Sequence, residues 1–156
     1  MFSNNFIKAE RISCGNTAAS KKRALQNLGE LLALSAHELD PDATFDKLLE
    51  RERLGSTGLG HGIALPHARV TGIDEAYGAF IQLETSVEFD SIDNQPVDLI
   101  FGLLVPESAT KEHLQLLAHL ASMFSDAGFC EKLRQASTPE QVMQQIDHWN
   151  KSENGA

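Results

Sequence analysis

Cysteine is scarce in this chain. Only Cys14 and Cys130 occur, and neither stands in a CxxC pair or any other zinc spacing. That excludes a disulfide framework of the secreted kind, and both residues are read as thiols. Basic residues are also in short supply: 13 Lys and Arg against 22 Asp and Glu, a formal net charge of −9. Nucleic acid would repel such a surface unless a dense basic patch offset it. KKR at 21–23 is the one dense basic cluster. It opens an expected helix and is read as a solvated face. No nucleic-acid partner is expected, and an acidic surface suits basic protein partners.

Long apolar runs are missing too. Runs such as LIFGLLV at 99–105 fall far short of the roughly 20 residues that a membrane-crossing helix needs. The opening MFSNNFIKAERIS lacks the basic start and long apolar segment of a signal peptide. The expectation is a cytoplasmic protein without membrane insertion. What is present has globular proportions: 156 residues, 42% hydrophobic and 22% charged. That suits one domain with a normal core.

No repeat or low-complexity segment interrupts the chain. SKKRALQNLGELLALS reads as an amphipathic helix, with Leu25, Leu28, Leu31 and Leu32 on one side and Ser20 as N-cap. Asp40-Pro41 marks a second helix start, a cap followed by proline in the first turn. That helix turns Phe45, Leu48 and Leu49 inward and stops near Gly55. Gly55 to Gly62 contains four glycines and is read as a loop. GIALP then reads as a short buried strand and AYGAFIQLE, 76–84, as another. FDSIDNQPVD is turn chemistry, and DLIFGLLVP, 98–106, is a central strand covered on both faces. TKEHLQLLAHLASMFSD returns to helical spacing through Leu114, Leu117, Leu120, Ala121 and Phe124. Thr138-Pro139-Glu140-Gln141 has the form of a capping box before a last helix. The alternation predicts an α/β fold: a single domain with a mixed β-sheet flanked by helices on both faces.

The chemistry concentrates in GHGIALPHAR, residues 60–69. It is not a P-loop, because no G-K-[ST] follows it. It is not a dinucleotide fingerprint, because it follows a helix and precedes a strand. His61 and His67 offer metal ligands, but no acidic third ligand lies close in sequence, and no H-E-x-x-H or Cys/His pattern occurs. His113 and His119 lie about 240° apart around one helix, so they cannot share a site. His37 and His148 sit in polar helical contexts and are read as exposed. Pro66 fixes its own φ and pushes Leu65 into extended geometry. The strand GIAL thus leads directly into His67, placing it at a sheet rim, where α/β proteins gather their chemistry. A neutral imidazole there suits nucleophilic attack. From the residues alone, a loop histidine with no role stands equally beside that reading.

RERLGSTGLGHGIALPHAR resembles the phosphorylation motif of the IIA proteins of the bacterial phosphoenolpyruvate-dependent sugar phosphotransferase system, fructose/mannitol family. QLETSVEFDSIDNQPVDLIFGLLVP is similar to a second segment, typical of the family's nitrogen-regulatory branch, and SKKRAL and TKEHLQLLAHLA also fall in place. The likeness runs from about residue 8 to residue 150 of a single domain spanning 1–156. It implies that His67 is the phosphorylated histidine, His113 the second active-site histidine and Arg51 the site arginine. Ser56 and Thr57 are possible further donors. One departure is His61, in a polar slot that the family often fills with Asn or Glu. No metal and no cofactor is implied, since arginine, histidine and backbone N–H groups cover the phosphate charge. The implied partners are an HPr-like phosphocarrier, which supplies the phosphoryl group, and regulated proteins such as potassium-transport or sensor-kinase components. The implied activity is that of a phosphotransferase component with a regulatory output. The alternative is a sugar-specific IIA that passes phosphate to a IIB domain.

Overall fold

The computed structural model describes residues 5–109 and 111–155. In chain order these form a 3-10 turn (Ala9–Arg11), β1 (Ile12–Asn16), α1 (Lys21–Ala33), α2 (Pro41–Arg53), β2 (Gly58–Gly60), β3 (Ile63–Ala64), β4 (His67–Val70), β5 (Tyr77–Val87), β6 (Val97–Pro106), α3 (Lys111–Phe124), α4 (Ala127–Gln135) and α5 (Pro139–Gly155).

The continuous apolar run becomes β6, at the centre of the sheet. Leu99, Phe101, Leu103 and Val105 enter one core layer, Ile100 and Leu104 the other. β5 pairs with β6 antiparallel, setting Phe80 opposite Phe101 and Ile81 opposite Ile100. β1 joins the far side of β5 in parallel. Along the other edge of β6 run β3 and β4, both parallel to it, and β2 closes that side antiparallel to β3. The sheet is therefore mixed. Leu25, Leu28 and Leu32 of α1 and Leu48 of α2 cover one face. Leu120, Phe124, Phe129, Leu133, Val142 and Ile146, from α3, α4 and α5, cover the other. Each such fully buried side chain contributes about 1.5–3 kcal/mol. The chain is one α/β domain with helices on both faces, as its alternation of patterns predicts. A Cβ at Gly102 of β6 would lie 2.6 Å from Leu28 Cδ2, so glycine lets α1 seat against the central strand.

The helix starts are those the sequence marks. Ser20 Oγ accepts from Arg23 N at 3.1 Å, and Asp40 Oδ2 from Ala43 N at 2.9 Å. Thr138 Oγ1 accepts from Gln141 N, but Gln141 Oε1 reaches back to Ser137 N rather than to Thr138 N. The box is thus shifted by one residue.

Several expectations need correction. Gly55 to Gly62 is not simply a loop, since Gly58–Gly60 forms β2 and pairs with β3. Leu114 is 66% exposed rather than inward, and α3 buries Met123 beside Leu120 and Phe124. Lys21 of the KKR cluster is partly buried and ion-paired with Glu52 rather than solvated. β1 and α4 carry little periodic signal. ISCGN is short and holds a glycine, while AGFCEKLRQ is nine residues long, capped by Asp126. Cys14 and Cys130 are free thiols.

Candidate functional site

The site grows from an interruption in one strand. Ile63 pairs with Leu99 and His67 with Leu103, the same register on both sides of the break. Pro66 has no N–H to give, so the ladder lapses there, although its carbonyl still accepts from Leu103 N at 2.9 Å. Leu65 N–H bonds to Thr57 O at 3.0 Å. Leu65 O meets His67 Nδ1 at 2.9 Å. A carbonyl only accepts, so this contact assigns the ring proton to Nδ1 and leaves the Nε2 lone pair free. The sequence reading ends the strand before His67. Instead the chain continues as β4 through Val70, and His67 stands half-buried at the step between two collinear pieces.

His67 opens onto a cleft of about 630 Å³ that is also lined by Arg51 and His113. The structure therefore brings the three principal site candidates together from β4, the last turn of α2 and the first turn of α3. His113 is buried, only 7% exposed. Its ring centroid lies 5.4 Å from that of His67, with planes inclined at 54°. Its Nδ1 is buried without a hydrogen-bond partner among the described residues. Arg51 Nη1 donates to Gly55 O at 2.9 Å, closing the end of α2.

Three more cations line the same cleft: Lys47, Arg53 and Arg69, against the single carboxylate of Glu50. Sequence reasoning missed them, yet the spacing holds the signal. Lys47 lies one turn before Arg51 on α2. Arg69 is two residues beyond His67 on β4, hence on the same strand face. An acidic protein thus concentrates positive charge at one concave place, which focuses the field there. Burial pushes the pKa of His67 below the ordinary histidine value. The Arg51 charge adds to this, while the Leu65 bond and the Glu52 charge oppose it. His113 is likewise lowered, first by burial and then by the charges of His67, Arg69 and Arg51. Both rings therefore favour the neutral form.

Ser56, Thr57 and His61 are not brought into this cleft. Ser56 Oγ donates to Phe89 O at 2.7 Å. Thr57 is buried, its N–H and Oγ1–H both given to the Glu52 carboxylate. His61 sits exposed at the tip between β2 and β3 with φ +57°. Asp93 Oδ2 accepts its N–H, and Arg134 Nη2 donates to its carbonyl. The next residue, Gly62, has φ +83°, and a Cβ there would lie 2.7 Å from Arg134 Nη2. The glycines thus serve a tight hairpin: Gly62 allows the close approach of Arg134 and Asp98, and Gly58 that of Ser91. Among the described residues no group of three or more His, Cys, Asp or Glu side chains is placed to hold a metal ion. No helix there is long and apolar enough to cross a membrane.

Residues 5–149 match the family model described as "Phosphoenolpyruvate-dependent sugar phosphotransferase system, EIIA 2". The chain belongs to this family. Within the IIA family it is 48% identical to the nitrogen regulatory protein of Escherichia coli (strain K12) over 144 residues, 92% of this chain and 85% of that one. It is similar to the crystal structure of nitrogen regulatory protein IIA-Ntr from Neisseria meningitidis, with TM-score 0.84 and 43% identity. That match covers 89% of this chain and 94% of the other. A chain in the solved complex of enzyme IIA mannitol and phosphorylated enzyme IIB mannitol from Escherichia coli matches with TM-score 0.73 and 25% identity, covering 91% and 97%.

Proposed function

We propose that the protein is a nitrogen-regulatory IIA phosphocarrier that accepts a phosphoryl group on Nε2 of His67 from an HPr-like phosphohistidine carrier. The observation that carries this reading is the His67 Nδ1 contact with Leu65 O, beside a cleft lined by cations. It leaves one imidazole nitrogen as an available lone pair where phosphate charge can be met. The lowered pKa of the ring keeps that lone pair unprotonated near neutrality.

In the transfer, the P–N bond of the donor phosphohistidine breaks and its electron pair returns to the donor ring. A new P–N bond forms to His67 Nε2. The three phosphoryl oxygens travel with phosphorus. No proton crosses the interface when the donor ring carries a proton on its other nitrogen: that ring leaves as neutral imidazole, while His67 keeps Nδ1–H on Leu65 O and its ring takes up the positive charge. Such a transfer asks the protein for positioning and charge stabilisation more than for covalent chemistry. Arg51 presents a planar fork that suits two phosphate oxygens. His113, in the first turn of α3, adds a ring N–H where a helix start already favours anions. Arg69, two residues along the same strand face, is a further counter-charge.

The likeness to nitrogen regulatory proteins supports a regulatory output, in which about two added negative charges change how the cleft face meets other proteins. The likeness to IIA mannitol in its complex with phosphorylated IIB supports the alternative, a sugar-specific IIA that passes phosphate to a IIB domain. The test is incubation with phosphoenolpyruvate, the first enzyme of the relay and an HPr-like carrier. Expected is one acid-labile, alkali-stable phosphate per chain, absent from His67→Ala. Phosphate retained by a folded His67→Ala protein would falsify the assignment. Onward transfer to an isolated IIB domain, tested in the same mixture, would favour the alternative.

A further inference from the structure

One buried carboxylate in the molecule has no place in the scheme above. Glu52 follows Arg51 in α2, but its side chain is only 3% exposed. Burying a carboxylate is costly unless its oxygens are fully met. Here they are. Thr57 N donates to Oε2 at 2.8 Å and Thr57 Oγ1 to Oε1 at 2.6 Å. Lys21 Nζ, from α1, lies 3.0 Å from Oε2. Lys21 is itself held, donating to Phe89 O at 3.2 Å and lying 4.9 Å above the Phe89 ring.

Stability alone does not account for such a group. A buried ion pair is often no better for folding than an apolar pair of the same volume. What the pair does do is fix Thr57 on both its donors. Thr57 O then accepts from Leu65 N at 3.0 Å, and this contact closes the base of the β2–β3 hairpin. Leu65 O accepts from His67 Nδ1 at 2.9 Å. The contacts are consecutive, each made by the residue that the previous one holds.

We infer that Glu52 is a positioning residue for His67. With its charge balanced by Lys21, it locks Thr57, and through Thr57 and Leu65 it sets the orientation and tautomer of the His67 ring. This rests on His67 being the phosphoryl acceptor. The Nδ1–H tautomer is the one that leaves Nε2 free, so a loosened Leu65 carbonyl costs reactive rings rather than binding. The Glu52 charge is also felt at His67 directly, where it raises the ring pKa against burial.

The test compares Glu52→Gln with the parent protein. Glutamine keeps the shape, but it accepts through one oxygen only and turns an NH₂ toward Lys21 or a Thr57 donor. The 15N chemical shifts of the His67 ring should move from a single Nδ1–H tautomer toward a mixture. The ring should titrate lower, because a nearby negative charge is gone. Single-turnover transfer from the phosphorylated carrier should slow about 10–100-fold, by analogy with the loss of partners that orient metal-ligating histidines, with the carrier concentration for half-maximal rate unchanged. Thr57→Val keeps the Thr57 N–H bond and loses the hydroxyl bond, so it should show the same changes at smaller size. It also serves if Glu52→Gln does not fold. Unaltered ring shifts and unaltered transfer in either folded variant would overturn the inference. The tautomer is read on unphosphorylated protein, so an altered ring with normal transfer would support Glu52 as its positioner and count against His67 as the acceptor.

Discussion

The rings of His67 and His113 face each other with centroids 5.4 Å apart. One is held by a carbonyl at a strand break, the other is buried at a helix start. Two protons on this pair would repel by about 3 kcal/mol at an effective dielectric constant near 20. Burial acts in the same direction on both. Neutrality is thus favoured on both rings, as the role proposed for His67 requires.

Both rings should therefore titrate below the ordinary histidine value of about 6.5. Arg51 lowers both, so Arg51→Gln should raise both midpoints. A ring whose native pKa is depressed leaves the unfolded chain as the better proton binder. Its contribution to stability is full above about pH 6.5 and is lost as pH falls from there through the native midpoints. NMR titration of the imidazoles checks the midpoints, and denaturant melts from pH 7.5 to 5 check the slope. A slope that does not flatten in His67→Gln would mean that other groups carry it.

Removing one phosphate donor should slow transfer by about 10²–10³-fold, the scale for a preorganised donor. That is expected for Arg51→Ala and for His113→Ala in rapid-quench transfer from the phosphorylated carrier. Arg51→Lys should recover only part, because lysine loses the two-pronged fork. The two variants should differ in stability. Arg51 is only partly buried, whereas His113 is 7% exposed. His113→Ala should cost about 1–3 kcal/mol as a buried truncation, and Arg51→Ala much less. Normal transfer rates in both would remove these residues from the site.

His61 is a matter of backbone rather than chemistry. Its φ of +57° lies in the left-handed region, where asparagine and glycine are tolerated and β-branched residues are not. His61→Asn and His61→Gly should leave transfer and melting temperature nearly unchanged. His61→Val should destabilise by about 1–2 kcal/mol by chemical denaturation. Equal stability of the Val and Asn variants would show that the tip relaxes out of this conformation. A hundredfold loss of transfer in His61→Asn would give the ring a direct part.

Much of this was legible in the sequence, for physical reasons. The run from Leu99 to Val105 has one stable use, a strand covered on both faces, and β6 is that strand. Ser20, Asp40 and Thr138 announce their helices because a cap must satisfy orphan N–H groups wherever a helix begins. Less was legible where the pattern is tertiary. β1 reads as nothing in isolation and is a strand because β5 offers it an edge. Glycines at 58, 60 and 62 look like a loop until Thr57 and Leu65 close them into a hairpin. His67 was visible through Pro66, and His113 and Arg51 through the family motif. Glu52 was hidden beside Arg51, because nothing in RER says that one charge faces the cleft and its neighbour the interior. Ser56 and Thr57 have suitable chemistry, but Phe89 O and Glu52 already take their hydroxyl protons.

The tip and the base of the hairpin are held by separate clamps, and the two should separate experimentally. At the tip, Arg134 grips Asp98 with two bonds, Nε to Oδ2 at 2.8 Å and Nη2 to Oδ1 at 3.0 Å, and reaches His61 O at 2.9 Å. Both side chains are about two-thirds covered, at 31% and 29% exposure. A fork of this kind should be worth more than an open surface pair, whose usual value is about 0.2–1 kcal/mol. A double-mutant cycle on Arg134→Met and Asp98→Asn should give a coupling of about 1–2 kcal/mol, above the roughly 0.5 kcal/mol expected of independent sites. Arg134→Met alone should cost the most, because it leaves the Asp98 carboxylate unpaired beside the sheet. Transfer to His67 should fall little in any of the three, since Thr57 and Leu65 still close the base. Additive effects in the cycle would reduce the pair to a surface contact. A transfer defect as large as that of Glu52→Gln would mean that the tip also sets the His67 ring.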